Sequence, residues 1–184
     1  MQGGVYVEQV VSTLSAAGYV ASQKQLYSRR SHGYHTDRWL TDTGSCDCVG
    51  LMGPALGGGH GRLQGLYGLV SDGLIQLNVV LADGSTVTVS DEQNKDLFWA
   101  MRGAGHNFGI VTSFVTKIWP KGSDWYYRNL VFTQNKLEPL FEAVNKLGGN
   151  GTQPKELGHF GEYTKIAAIP DVGLVFFPHL AATV

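Results

Sequence analysis

Residues 44–73 constrain this chain more than any other stretch. GSCDCVGLMGPALGGGHGRLQGLYGLVSDG is rich in glycine and nearly free of charge. The run Gly57-Gly58-Gly59-His60-Gly61 offers almost no side-chain packing and costs more backbone entropy than any other composition. Such a run suits a place where several backbone N–H groups point at one ligand, typically a phosphate or the edge of a planar ring. A tight structural loop is the other reading, and on composition the two stand level. The dinucleotide fingerprint G-x-G-x-x-G does not fit, because Arg62 and Gln64 occupy positions where it needs glycine. The phosphate loop G-x-x-x-x-G-K-[ST] is absent as well. Glycine is enriched across the whole chain, with 25 in 184 residues, about twice an average share of roughly 7%.

The flanking segments alternate between helical and strand patterns. Val7, Val10, Val11 and Leu14 follow the spacing of one buried helical face, predicting a helix over 5–17 with Gly18 as its C-cap. Residues 22–43 are polar, carry Arg29, Arg30 and Arg38, and lack any period. They read as an insertion, a disordered segment or a gene-model artefact. Residues 74–90 predict a β-hairpin about Asp83-Gly84, the pair a type I′ turn favours. A short helix follows over 96–103. A strand is expected over 110–118, closed by Pro120. A helix over 137–147 should carry Leu137, Leu140, Phe141, Val144 and Leu147 on one face, with Gly148 after it, and 172–177 predicts a last strand. This mixture argues for an α+β fold.

Lysine plus arginine is 14 and aspartate plus glutamate is 15, a net charge of −1. No basic excess drives binding to a nucleic-acid backbone. Charged residues total 16%, below the roughly 25% of an average domain. A surface so poor in charge is often covered in part by a cofactor, a partner or further chain. No apolar run reaches the length that spans a bilayer, and MQGGVYVEQ lacks the form of a secretory leader. Cys46 and Cys48 with His32 and His35 invite a zinc reading, but C-x-C is not the usual ligand spacing, so no metal is expected. Arg102 and His106 flank a glycine turn into the 110–118 strand. The ordinary roles of a helix-end arginine and a loop histidine are preferred for them.

Several motifs fall in one order. CDCVG at 46–50 is followed by LGGGHGRL at 56–63, YGLVSD at 67–72 and VLADG at 80–84. DLFWAMRGAG at 96–105 and NFGIVT at 107–112 complete the set. Together they resemble the second half of the FAD-binding domain of berberine-bridge-enzyme-like oxidases, in the vanillyl-alcohol-oxidase type of flavoprotein with a PCMH-type FAD domain. The resemblance is weak over 1–20 and strong over 44–120. It implies a partial FAD-binding domain at 1–120 and the beginning of an α+β substrate domain at 125–184.

The resemblance also implies chemistry. The cofactor would be FAD, and the reaction would be oxidation of a small molecule such as an alcohol, sugar or alkaloid by hydride transfer to flavin N5. Dioxygen would be the electron acceptor. Val49, Gly50, Gly53, Leu56, Gly57, Gly58 and Gly59 would line the flavin, and Ile110 and Val111 would touch it through their backbone. Cys46 occupies the position that bonds to the isoalloxazine ring in members with doubly attached flavin. The histidine attachment loop, the pyrophosphate-binding half and the segment supplying the catalytic base have no counterpart in these residues, so no catalytic residue is assigned. The isolated chain is therefore expected to hold FAD weakly and to be inactive. A short product of the same family, serving as a non-catalytic binding or regulatory module, is the alternative.

Overall fold

The computed structural model describes residues 1–17, 43, 48–61, 63–119, 125–127, 130–151, 153–165 and 172–181. The chain divides into two compact units, Met1–Gly122 and Ser123–Val184. Both mix helix and antiparallel strand, as the α+β expectation requires. Gly18, Pro120 and residues 22–42 lie outside the described residues, while Thr43, at the end of the polar segment, is buried.

In the first unit, α1 (Val7–Ala16) turns Val7, Val10, Val11 and Leu14 inward, as their spacing predicts. The sheet has the order β2-β1-β3, all antiparallel, with β1 at Leu74–Val80, β2 at Thr86–Ser90 and β3 at Ile110–Thr116. Leu74, Leu77 and Val79 of β1, Val89 of β2, and Val111 and Phe114 of β3 join α1 in one core. Two further helices close it, α2 (Met52–Leu56) through Met52 and Ala55 and α4 (Lys95–Met101) through Phe98 and Met101. Each fully buried aliphatic or aromatic side chain here contributes roughly 1.5–3 kcal/mol. The glycine-rich stretch is less irregular than its composition suggests. It contains α2, the single turn α3 (Gln64–Tyr67) and a 3₁₀ turn at Val70–Gly73.

The hairpin forms where predicted, but its turn differs. The Gly84 N–H donates to the Leu81 carbonyl at 3.0 Å and the Leu81 N–H to the Ser85 carbonyl at 2.8 Å. Gly84 has φ +83 while Asp83 stays at negative φ. A type I′ turn needs positive φ at both central residues. This is instead a type I turn followed by a left-handed glycine, with the extra residue absorbed as a bulge. The Asp83 carboxylate selects it by accepting from the Ser85 hydroxyl at 2.6 Å and the Ser85 N–H at 2.9 Å. Those bonds, the hydroxyl's first, hold the Asp83 carboxyl below its ordinary range.

Asn78 crosses all three strands. Its Nδ2 donates to Ser113 Oγ at 2.7 Å, and its Oδ1 accepts from Thr88 Oγ1 at 2.8 Å. Both partners sit directly opposite it in register.

In the second unit, β7 (Val172–Ala181) pairs along one edge with β6 (Leu157–Lys165). Along its other edge it pairs with β4 (Trp125–Tyr127) and β5 (Leu130–Thr133), which share one register. The gap between those two pairings falls at Phe177 and Pro178, where proline has no N–H to give a ladder. The sequence reading expects only the 172–177 strand here. The short β4 and β5 and the glycine- and lysine-bearing β6 lack the strict alternation that marks a strand. Helix α5 (Leu137–Gly148) forms as predicted, yet none of its residues is buried. Phe141 remains 47% and Leu147 54% exposed. Periodicity gives the direction of an apolar face and not the presence of a partner.

Candidate functional site

The first six residues bring the separated site candidates together. The Gly3 N–H donates to the Thr112 carbonyl at 2.7 Å, so this segment runs along the outer edge of β3. Further on, the Val7 N–H donates to the Val49 carbonyl and the Leu51 N–H to the Val5 carbonyl, both at 3.0 Å. Residues 1–7, which turn at Gly3-Gly4, therefore bond to both β3 and the 49–51 segment. Tyr6 and Gly50 form the bridge, in the pairing where neither amide meets the other. The Gly50 N–H faces away from the segment and meets no acceptor among the described residues.

The glycine loop has the same character, for a geometric reason. The Ser71 N–H donates to the Gly58 carbonyl at 2.8 Å, and the Val70 N–H donates to the Gly59 carbonyl at 3.0 Å. In a planar trans peptide the carbonyl and the following N–H point in opposite directions. Tying both carbonyls to 70–71 turns the N–H groups of Gly59 and His60 the other way. Neither they nor the Gly61 N–H donates to an acceptor among the described residues. Gly58 and Gly59 hold φ +98 and +78. A Cβ on Gly59 would sit 3.0 Å from the Pro54 carbonyl oxygen and from Val70, so position and conformation both exclude a side chain.

The other candidates lie in 49–57 and 110–111. Gly53, in α2, is exposed, with open space where a Cβ would lie. Leu56 closes α2 half-buried, and Gly57 follows it. A Cβ on Gly105 would approach Leu56 Cδ2 to 2.7 Å, so the 105–107 turn lies against the end of α2. Gly109 allows its backbone to reach β1, where a Cβ would stand 2.5 Å from the Val80 carbonyl oxygen. Ile110 then emerges 73% exposed while Val111 turns inward at 8%. Val49 is 40% exposed. Cys46, His32 and His35 lie outside the described residues. Arg102 stands with its guanidinium 4.6 Å from the centre of the Phe98 ring and 3.9 Å from Asp91. Those contacts account for it without a ligand.

Sequence reasoning missed two features. One is the N-terminal segment as the link between β3 and 49–51, which no local pattern signals. The other is the pairing of His60 with Gln64, whose i, i+4 spacing was legible.

The backbone fits an electron-rich planar ligand. Unspent N–H groups at Gly50, Gly59, His60 and Gly61 can meet carbonyl, ring-nitrogen or phosphate acceptors, and exposed Val49 and Ile110 can meet an apolar ring face. Among the described residues, no helix is long and apolar enough to cross a membrane.

Comparison with known proteins bears on the ligand. Residues 32–90 match the FAD binding domain family, a match that begins inside the 22–43 segment. The chain is 56% identical over 164 residues to the FAD-linked oxidoreductase anuG of Penicillium roqueforti, covering 88% of this chain and 28% of that protein. Among solved structures, BBE-like 1 of Physcomitrella patens is 25% identical with a TM-score of 0.77, covering all of this chain and 34% of that one. Glucooligosaccharide oxidase of Acremonium strictum, a protein with a 6-S-cysteinyl, 8α-N1-histidyl FAD, is 26% identical with a TM-score of 0.74. That match covers 99% of this chain and 33% of that one. The chain thus spans about a third or less of each of these proteins.

Proposed function

We propose that the chain, which is similar to FAD-linked oxidoreductases of the berberine-bridge-enzyme-like, vanillyl-alcohol-oxidase type, supplies part of the flavin cradle of an oxidase acting on a small molecule. The observation that carries this reading is the pair of outward N–H groups at Gly59 and His60, fixed by carbonyls tied to 70–71. FAD held by these residues would supply the electron-accepting ring for hydride transfer at N5, with dioxygen as the electron acceptor.

The residues of this chain bind and orient. The N–H groups of Gly50 and Gly59–Gly61 hold the polar edges of the cofactor. Gly53, Leu56, Gly57 and Gly58 leave room for its body, and Val49 and Ile110 shield a ring face from water. Val111 takes part through its backbone, since its side chain lies in the core. Cys46 would be the point of thioether attachment to the ring, as the resemblance implies, its thiol hydrogen and the displaced ring hydrogen leaving as protons and the two electrons passing through the flavin to dioxygen. A thioether there would fix the ring and raise its oxidising power. The substrate is a small alcohol, sugar or alkaloid. A sugar substrate finds support in the glucooligosaccharide oxidase likeness. We assign residues 1–120 to the FAD-binding domain and 125–184 to the start of the substrate domain.

The test is the intact mass of the native gene product with a peptide map around Cys46. Flavin on the Cys46 peptide, lost in Cys46→Ser, is the expected result. A product of 19.9 kDa without flavin overturns the oxidase reading in favour of a non-catalytic product.

A further inference from the structure

His60 interrupts the glycine loop, and nothing assigned so far uses its side chain. Its Nδ1 stands 2.5 Å from Gln64 Oε1, four residues on, at the start of α3, and because an amide oxygen only accepts, that bond requires the proton on Nδ1. Both residues are exposed. A neutral imidazole with its hydrogen on Nδ1 carries a lone pair on Nε2, and no described group takes that lone pair. Every other side chain of residues 48–61, Cys48 apart, is apolar or a hydrogen atom. The loop therefore presents backbone donors and one fixed ring acceptor. Holding an exposed imidazole in one tautomer costs side-chain entropy, and core packing gains nothing from it.

We propose that His60, oriented by Gln64, accepts a hydrogen bond through Nε2 from an O–H or N–H donor of the ligand held by this loop. On the flavin reading, on which the proposal rests, that ligand is FAD. Ionised phosphate oxygens carry no hydrogen and are not the partner. The flavin imide N–H and the ribityl hydroxyls are donors of the required kind, and so is a substrate hydroxyl. Gln64 is a positioning residue, setting which ring nitrogen bears the proton.

The experiment uses the native gene product, reading FAD affinity, the visible circular dichroism of the flavin and KM. His60→Ala lowers FAD affinity roughly three- to tenfold, the worth of one neutral hydrogen bond, and changes the flavin dichroism. His60→Gln, which retains an acceptor oxygen, restores most of both. Gln64→Glu keeps an acceptor at Nδ1 but favours the imidazolium, which converts Nε2 to a donor, so its loss matches that of His60→Ala. A raised KM with unchanged affinity and dichroism keeps His60 as the acceptor and moves the donor to the substrate. If the three variants leave affinity, dichroism and KM unchanged, the His60 proposal is overturned and the flavin reading stands. Wild-type product without FAD overturns both.

Discussion

Gly59 shows how much one position can decide. Its φ of +78 strains any side chain, and a Cβ would meet both the Pro54 carbonyl and Val70 at 3.0 Å. Gly59→Ala is expected to destabilise the chain by about 1–3 kcal/mol, read as a lowered thermal midpoint, and to weaken FAD binding. Asp83 provides a test in the opposite chemical direction. Its carboxyl is held low by the Ser85 hydroxyl and N–H. A depressed carboxylate adds stability above its unfolded pKa, and that stability is lost as pH falls through the folded value. An NMR titration of the Asp83 carboxyl in Ser85→Ala should therefore return it toward the ordinary range. The glycine run and the Asp-Gly pair were both legible in the sequence. The turn type was not, because it depends on Asp83 keeping negative φ, and a dipeptide permits either geometry.

Among the elements, the sheet of the first unit is tied by Asn78 from its central strand. Asn78→Ala removes two cross-strand side-chain bonds, each worth about 0.5–1.5 kcal/mol. An equilibrium denaturation should show a loss of roughly 1–3 kcal/mol. Phe98, 1% exposed in α4, lies in the same core, and Phe98→Ala should cost about 3–5 kcal/mol. Helices α1, α4 and α5, and strands β1, β2 and β3, were readable because each repeats a side-chain period over a turn or more. Strands β4, β5 and β6 were not. Their pairing with β7 rests on backbone ladders between distant segments, and no local alternation advertises it. The apolar face of α5 shows a related limit, since periodicity cannot report what stands opposite Phe141 and Leu147.

Over the molecule as a whole, contacts distant in sequence assemble the candidate site. The first six residues join β3 to 49–51, and the 70–71 segment orients the glycine loop. Removing residues 1–6 should raise the hydrogen-exchange rate of the Leu51 amide, whose acceptor is the Val5 carbonyl, and leave the hairpin amides of β1 and β2 protected. The motifs named the residues of the site, but no local pattern signals this scaffolding, because its bonds join residues too far apart for any helical or strand period to report. Another consequence follows from the peptide planes of Gly58–His60. They are fixed dipoles with their negative ends tied down and their positive ends outward, on a chain whose net charge is only −1. Counter-ions screen separated full charges far more than dipoles in contact with a ligand. Added salt should therefore leave the grip of this loop almost unchanged, and the ligand should arrive by plain diffusion without long-range electrical guidance.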